Sequence, residues 1–207
     1  MQDEVIFYTN PQSRGRIGRW MLEEVGASYR TEILEYGGSI KAPAYLKINP
    51  MGKVPAIVHR GEVITECAAI CAYLAETFPQ AGLAATPEER ASYYRWLFFA
   101  AGPMESAIID LKTLGVEPDA EKQMMVGYGS YTAALDNLSI WLKDHTYICG
   151  DRFTAADVYV GSQVAWGVQF GTLEKRPEFI DYAKRATDRE AYRCAMAKDD
   201  ALEEEKA

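Results

Sequence analysis

Along the first part of the chain the apolar positions come in short blocks whose spacing changes from block to block. Residues 4–9 carry Val5, Ile6, Phe7 and Tyr8 in succession and read as a buried strand. Residues 14–25 read as a helix that stops at Gly26, and residues 29–34 as a second strand. A loop containing Gly37, Gly38 and Pro43 follows. Residues 55–58 and Val63-Ile64 then form a hairpin around Arg60-Gly61, and residues 66–78 a helix. The order is βαβ followed by ββα, with two antiparallel strands at one edge.

Beyond Pro79 no strand pattern recurs. Residues 80–86 read as a linker, and Thr86-Pro87-Glu88-Glu89 opens a helix with a cap residue, a proline at the first position and a glutamate three after the cap. That helix carries Tyr93, Trp96, Leu97, Phe99 and Ala100 toward a core, and Gly102-Pro103 is expected to kink it. A long helix is predicted over residues 119–144, with Met124, Tyr128, Tyr131, Leu135, Leu138 and Leu142 at helical spacing. In Gly150-Asp151-Arg152-Phe153-Thr154-Ala155-Ala156-Asp157, Thr154 caps a helix, Asp157 reaches back to it, and Phe153 staples onto Val158. The acidic run Glu203-Glu204-Glu205 reads as a frayed end. The pattern therefore predicts an α/β thioredoxin-like domain over residues 1–79 and an all-helical domain over residues 87–207.

With 207 residues, of which 48% are hydrophobic, two small domains with real cores are affordable. A formal net charge of −8 argues against nucleic acid as a partner. No apolar run approaches the ~18 residues that span a bilayer, and no signal segment precedes the first strand, so a cytoplasmic protein without a membrane partner is expected. The cysteines at 67, 71, 149 and 194 form no CxxC pair, and His59 and His145 are the only histidines, so metal-site spacing is absent. Cys67 and Cys71, one helical turn apart, read as packing residues.

Chemistry enters with two strings, Asn49-Pro50-Met51-Gly52-Lys53-Val54-Pro55 and Glu66-Cys67-Ala68-Ala69-Ile70. The residue before Pro55 is forced extended, so the N–H and C=O of Val54 suit an extended peptide laid beside the strand. Whether the Val54–Pro55 bond is cis is not legible in a sequence. The helix beginning at Glu66 offers free N–H groups and its positive dipole end to a carboxylate, and Glu66 can hold an ammonium. Together the strings describe a site for a short peptide.

Both strings resemble the N-terminal domain of glutathione transferases, where N-P-x-G-x-V-P and E-S-x-A-I recur; Cys67 stands where the family usually has serine. The segment 150–157 resembles the helix-starting motif of the family's C-terminal domain, so the resemblance covers both domains in order. It implies glutathione as a co-substrate, with no permanently bound cofactor. Val54 and Pro55 would meet its cysteinyl backbone, with Lys53 just before them, Glu66 and Cys67 its γ-glutamyl end, and Lys41, in its loop, the glycyl carboxylate. A thiol is a weaker donor than the usual hydroxyl, so backbone N–H groups would have to carry part of the work of Cys67. The resemblance also implies a homodimer.

Activation of the thiol falls to the loop Tyr8-Thr9-Asn10-Pro11-Gln12-Ser13-Arg14-Gly15-Arg16. A free thiol is about 3% thiolate at neutral pH, and lowering its pKa by two units makes it about three-quarters thiolate at a preferential stabilisation of ~2.7 kcal/mol. A hydroxyl, a cation and a helix N-terminus supply such a sum. Asn10-Pro11-Gln12-Ser13 is similar to the P-x-S of serine-type members, especially the plant phi class, making Ser13 the donor. The stretch from Tyr8 to Gly26 matches tyrosine-type members without gaps, making Tyr8 the alternative donor with Arg14 as its helper. Ser13 is favoured because a hydroxyl at a helix start faces the ligand, although a plain capping serine explains it too. Arg16 and Arg19 are expected to be solvated or paired with Glu23. The electrophile is expected to meet Phe99, Pro103, Met104 and Ala107. The expected activity is glutathione transfer to a small hydrophobic electrophile, with glutathione-dependent peroxidase or thiol transfer, or a non-catalytic binding role, as alternatives.

Overall fold

The computed structural model describes residues 4–204, which divide into two compact units. One runs to Ala84 and takes in the chain from Asp188 onward; the other is Ala85–Thr187.

The first unit is built on a four-stranded mixed sheet in the order β2-β1-β3-β4. β1 (Val5–Thr9) pairs parallel to β2 (Tyr29–Ile33) through the crossover helix α1 (Gly15–Val25), and antiparallel to β3 (Ala56–His59), which pairs with β4 (Glu62–Thr65). The hairpin turns at Arg60 and Gly61, both with positive φ (53° and 84°), the conformation that matches the strand twist. α1 ends on Gly26 in the left-handed conformation, whose N–H returns to the last turn. α3 (Cys67–Thr77) packs with α1 over one face of the sheet. Val5, Phe7 and Thr9 of β1 are fully buried while Ile6 and Tyr8 are half-buried. Tyr8 packs on a second small cluster of Leu34, Ile40, Tyr45 and Ala56, supplied in part by the short helix α2 (Pro43–Leu46) inside the segment expected to be a plain loop.

The last helix, α9 (Glu190–Glu204), packs along α1. Its contacts assign it to the α/β unit, whereas the sequence pattern ran the helical domain to the end of the chain. Arg16 pairs with Asp200 and Glu203, the fully buried Asp199 takes Arg19, Lys198 takes Glu23, and Arg189 takes Glu24. Arg16 and Arg19 are thus neither solvated nor paired with Glu23. Glu203 and Glu204 lie within α9 and do not form a frayed end, and Glu205 lies outside the described residues.

The second unit is all helical. Thr86 and Glu89 cap its start reciprocally, Thr86 N–H donating to Glu89 Oε2 (2.8 Å) and Glu89 N–H to Thr86 Oγ1 (3.4 Å). α4 (Arg90–Phe99) continues through a π-helical turn at Ala100–Met104, α5 (Glu105–Ile108) and a second π turn at Ile109–Thr113. Pro103 sits inside the first π turn, where the widened ring absorbs the missing N–H. The helix predicted over 119–144 is only half present. α6 (Tyr131–Asp144) begins at Ser130, whose hydroxyl accepts from Ala133 N–H at 3.1 Å. Met124 lies in a 3-10 turn, 82% exposed, and Tyr128 is spent outside the helix, donating to Asp110 at 2.6 Å. Gly127, Gly129 and Ser130 supply the stop and the cap, and they override the apolar spacing. α7 (Ala155–Phe170), buried on nearly every side, packs against α4 and α8 (Pro177–Thr187). Among the described residues no helix is long and apolar enough to cross a membrane.

Candidate active site

Within the first unit the sheet register brings the two sequence strings to one place. Tyr8, at the end of β1, lies opposite Ala56 at the start of β3, so the loop after Thr9 emerges beside Val54 and Pro55. The Val54–Pro55 bond is cis. The ladder begins only at Ala56, leaving the half-buried Val54 outside the sheet pairing. Its main chain is free to take a strand-like partner.

α3 starts in the same neighbourhood. Glu66 precedes it at φ 65°, a conformation that costs a non-glycine residue on the order of 1–3 kcal/mol and that turns the chain sharply into the helix. The Glu66 side chain makes no capping bond to the first turn, which also carries the positive dipole end of the helix. The exposed Glu66 stands at this start. Cys67 faces inward, only 9% exposed, and its thiol donates to the C=O of Arg14 at 3.5 Å. That bond ties the start of α3 to the start of α1. It also spends the thiol proton, so a carboxylate there is left to the backbone donors.

The loop before α1 is pinned at several points. The buried Asn10 donates to Leu34 C=O at 2.8 Å and accepts from Gln12 N–H at 2.9 Å. Arg16 Nε donates to Pro11 C=O at 2.7 Å. Ser13 is half-buried; its hydroxyl donates to Asn10 C=O at 2.6 Å and accepts from Gly15 N–H at 2.9 Å. An accepted hydrogen bond polarises a hydroxyl and makes it a better donor. Gly15 is required by crowding, since a Cβ there would lie 1.8 Å from the buried Thr9 Oγ1. Tyr8 packs its ring 5.5 Å from that of Tyr45, and Arg14 is exposed. Tyr45 donates to Lys53 C=O at 2.5 Å, and burial pushes its phenol up to about 12.

The two lysines differ. Lys41 is spent on the carbonyls of Met51 (2.9 Å) and Gly52 (3.0 Å), clamping the turn before Val54. Gly52 has φ 56°, and a Cβ on it would lie 2.7 Å from Lys41 Nζ, so the clamp needs glycine there. Lys53 is exposed, with its ammonium engaged by none of the described residues. Cys71 is fully buried, and burial first, then the neighbouring Cys67, pushes its thiol well up, which makes it an inert packing residue.

In the second unit Phe99 and Pro103 are partly exposed, whereas Met104 and Ala107 are each 1% exposed and belong to the core. The last two are therefore closed to a ligand in this structure. Their helical spacing placed them correctly on an inward face, but that face is filled.

Sequence reasoning passed over Asn10 and the Arg16 contact to Pro11. Asn10 was legible as an Asx turn before proline. Arg16 was not, because its acidic partners lie on α9 at the far end of the chain.

The sequence profile of the glutathione S-transferase N-terminal domain matches residues 15–77. The chain is 30% identical over 177 residues to maleylacetoacetate isomerase of Pseudomonas aeruginosa, covering 81% of this chain and 82% of that protein. It is 30% identical over 159 residues to the glutathione S-transferase GstA of Escherichia coli O157:H7, covering 74% and 77%. A glutathione transferase of Phanerochaete chrysosporium, solved in complex with oxidized glutathione, shares the fold with a TM-score of 0.79 at 22% identity, over 97% of this chain and 98% of that one. The chain belongs to the glutathione S-transferase family.

Proposed function

We propose that this protein binds glutathione in the first unit and activates its thiol for attack on a small hydrophobic electrophile. The observation that carries the reading is the Cys67 to Arg14 contact together with the Tyr8–Ala56 register. They gather an unladdered strand end at Val54, the helix start at Cys67 and a polarised hydroxyl at Ser13 in one neighbourhood. Val54 pairs with the cysteinyl main chain, the first turn of α3 with the γ-glutamyl carboxylate, and Glu66 with the ammonium. Lys53 takes the glycyl carboxylate, with Lys41 holding the turn beneath it. Ser13 turns its proton from Asn10 C=O to the thiolate, and Arg14 adds positive potential. Tyr8, the competing hydroxyl, is held against Tyr45. The active species is a homodimer.

Calorimetry with glutathione tests the site, and turnover of a chloronitrobenzene tests the chemistry. Millimolar or tighter binding is expected, with Ser13→Ala lowering kcat about 100-fold and Tyr8→Phe leaving it within threefold. Absence of binding defeats the whole reading, while unchanged turnover in Ser13→Ala transfers the donor role to Tyr8. The 30% identity to an isomerase supports a second reaction at the same site, in which the thiolate adds to an activated cis-alkene, the adduct rotates, and the thiolate leaves with the trans-alkene. Turnover of maleylacetoacetate without accumulation of a glutathione conjugate distinguishes it. Turnover of cumene hydroperoxide identifies a peroxidase.

A further inference from the structure

We infer that Arg16 is a positioning residue through which the C-terminal helix sets the loop carrying Ser13. The inference rests on the proposed role of that loop in activating a thiol. Arg16 uses all three arms of its guanidinium at once. Nε donates to Pro11 C=O at 2.7 Å, Nη1 to Asp200 at 2.7 Å, and Nη2 to Glu203 at 3.0 Å. Its side chain is 18% exposed, so the fork is held in a partly dry setting where charge-assisted bonds count. The carbonyl it takes belongs to the buried Pro11, between Asn10, which receives the Ser13 proton, and Ser13 itself. Turning the Pro11–Gln12 peptide would move both the acceptor and the donor of that bond.

α9 therefore reaches the loop without touching it through Ser13. A cavity of about 300 Å³ beside the loop is lined by Asn10, Pro11, Gln12, Glu35, Tyr36 and Glu203, so the end of α9 also forms one wall of the space next to that loop. The other ion pairs that fasten this segment to α1 lie further from the loop, as where Glu24 takes Arg189, the residue just before α9, through two bonds at 2.6 and 2.7 Å. These fasten α9 to α1 but do not reach the loop. Of these pairs, that of Arg16 joins fastening to positioning. Lysine cannot replace it, since one ammonium cannot hold a carbonyl and two carboxylates in a planar fork.

The test compares the parent protein with Arg16→Ala, Arg16→Lys, the double variant Asp200→Asn/Glu203→Gln, and Arg189→Gln. The readouts are the pH dependence of kcat/KM, the pH titration of thiolate absorbance of bound glutathione, the glutathione Kd, and amide hydrogen exchange over residues 12–15. Arg16→Ala is expected to raise the apparent thiol pKa by about one unit, a tenfold loss of kcat/KM below it. Exchange over the loop should quicken while Kd stays within threefold. Arg16→Lys and the double variant should move the profile the same way by a smaller amount. Arg189→Gln should lower the melting temperature and leave the pH profile in place. The inference is overturned if the Arg16→Ala and double-variant profiles superimpose on the parent's, or if Arg189→Gln shifts the profile equally, which would make α9 a purely structural fastening. Should Arg16→Ala fail to fold, Arg16→Lys and the double variant decide between the same outcomes. A parent that binds no glutathione defeats the proposed function itself, whereas a parent that binds and turns over with insensitive variants defeats the role of Arg16 alone.

Discussion

Ser13, just before α1, and Thr154, at the cap of α7, each put a hydroxyl at a helix start, and the two are used in opposite ways. At α7 the start is closed. Asp157, fully buried, accepts from Ile148 N–H (2.8 Å), Tyr182 OH (2.9 Å), Thr154 N–H (2.9 Å) and Thr154 OH (3.1 Å), so the capping box is welded into the helical core. At α1 the start is pinned but open: Ser13 stays half-buried, its neighbour Arg14 is exposed, and its proton rests on a backbone carbonyl from which it can turn away. A hydroxyl surrounded by buried partners fixes structure. One that keeps a solvent-facing side and an exchangeable partner is available for chemistry, and burial is what separates the two.

The comparison breaks first at Asp157. Asp157→Ala strands its buried donors, and a loss of about 3–5 kcal/mol in denaturant unfolding of the helical unit is expected, with the surviving folded fraction still able to bind glutathione. Next comes the matched pair Thr154→Ala and Ser13→Ala. Each should cost ~1–2 kcal/mol as a lost cap. Only Ser13→Ala should also lower turnover per folded molecule; equal turnover in the two would erase the distinction between the two starts. The smallest effect is one of pH. Burial pushes the Asp157 carboxyl up to about 6, against the bonds it accepts from Ile148, Thr154 and Tyr182. The native state then holds a proton that the unfolded chain has released, so the stability Asp157 contributes is full below about pH 4 and declines as pH rises through about 6. The parent minus Asp157→Asn difference in unfolding free energy should fall across that window. The carboxyl of Glu89, held low first by its bond to Arg152, tilts the other way, its contribution being lost as pH falls below about 4.5. A difference curve rising with pH between 4 and 6 would mean that the Asp157 carboxylate is stabilised by its donors more than it is penalised by burial.

Much of the fold could be read in the chain because its signals are local. Gly26 and the Arg60-Gly61 turn end α1 and close the hairpin through positive φ that the backbone demands. Thr86/Glu89 and Thr154/Asp157 announce helix starts at fixed spacing, and both are present. Where the reading failed, two local signals competed. Over 119–144 the apolar spacing of Met124 and Tyr128 was allowed to outvote Gly127, Gly129 and Ser130, and the backbone followed the glycines. In the site, Val54, Pro55, Glu66 and Cys67 could be named from the sequence, but which of them was spent could not. Lys41 and Lys53 look alike as residues, yet Lys41 is consumed by the Met51–Gly52 turn.

By itself the sequence determined the order of the four strands with α1 and α3, the caps at Thr86 and Thr154, and the two strings that meet at the candidate peptide-binding site, since periodicity and turn chemistry act over a few residues. The tertiary structure alone decided that α9 belongs to the first unit, that Arg16 links it to Pro11, that the Cys67 thiol donates to the Arg14 C=O, and that Met104 and Ala107 are sealed in the core. Each of these depends on groups far apart in the chain, and a partner's distance along the chain says nothing about its distance in space.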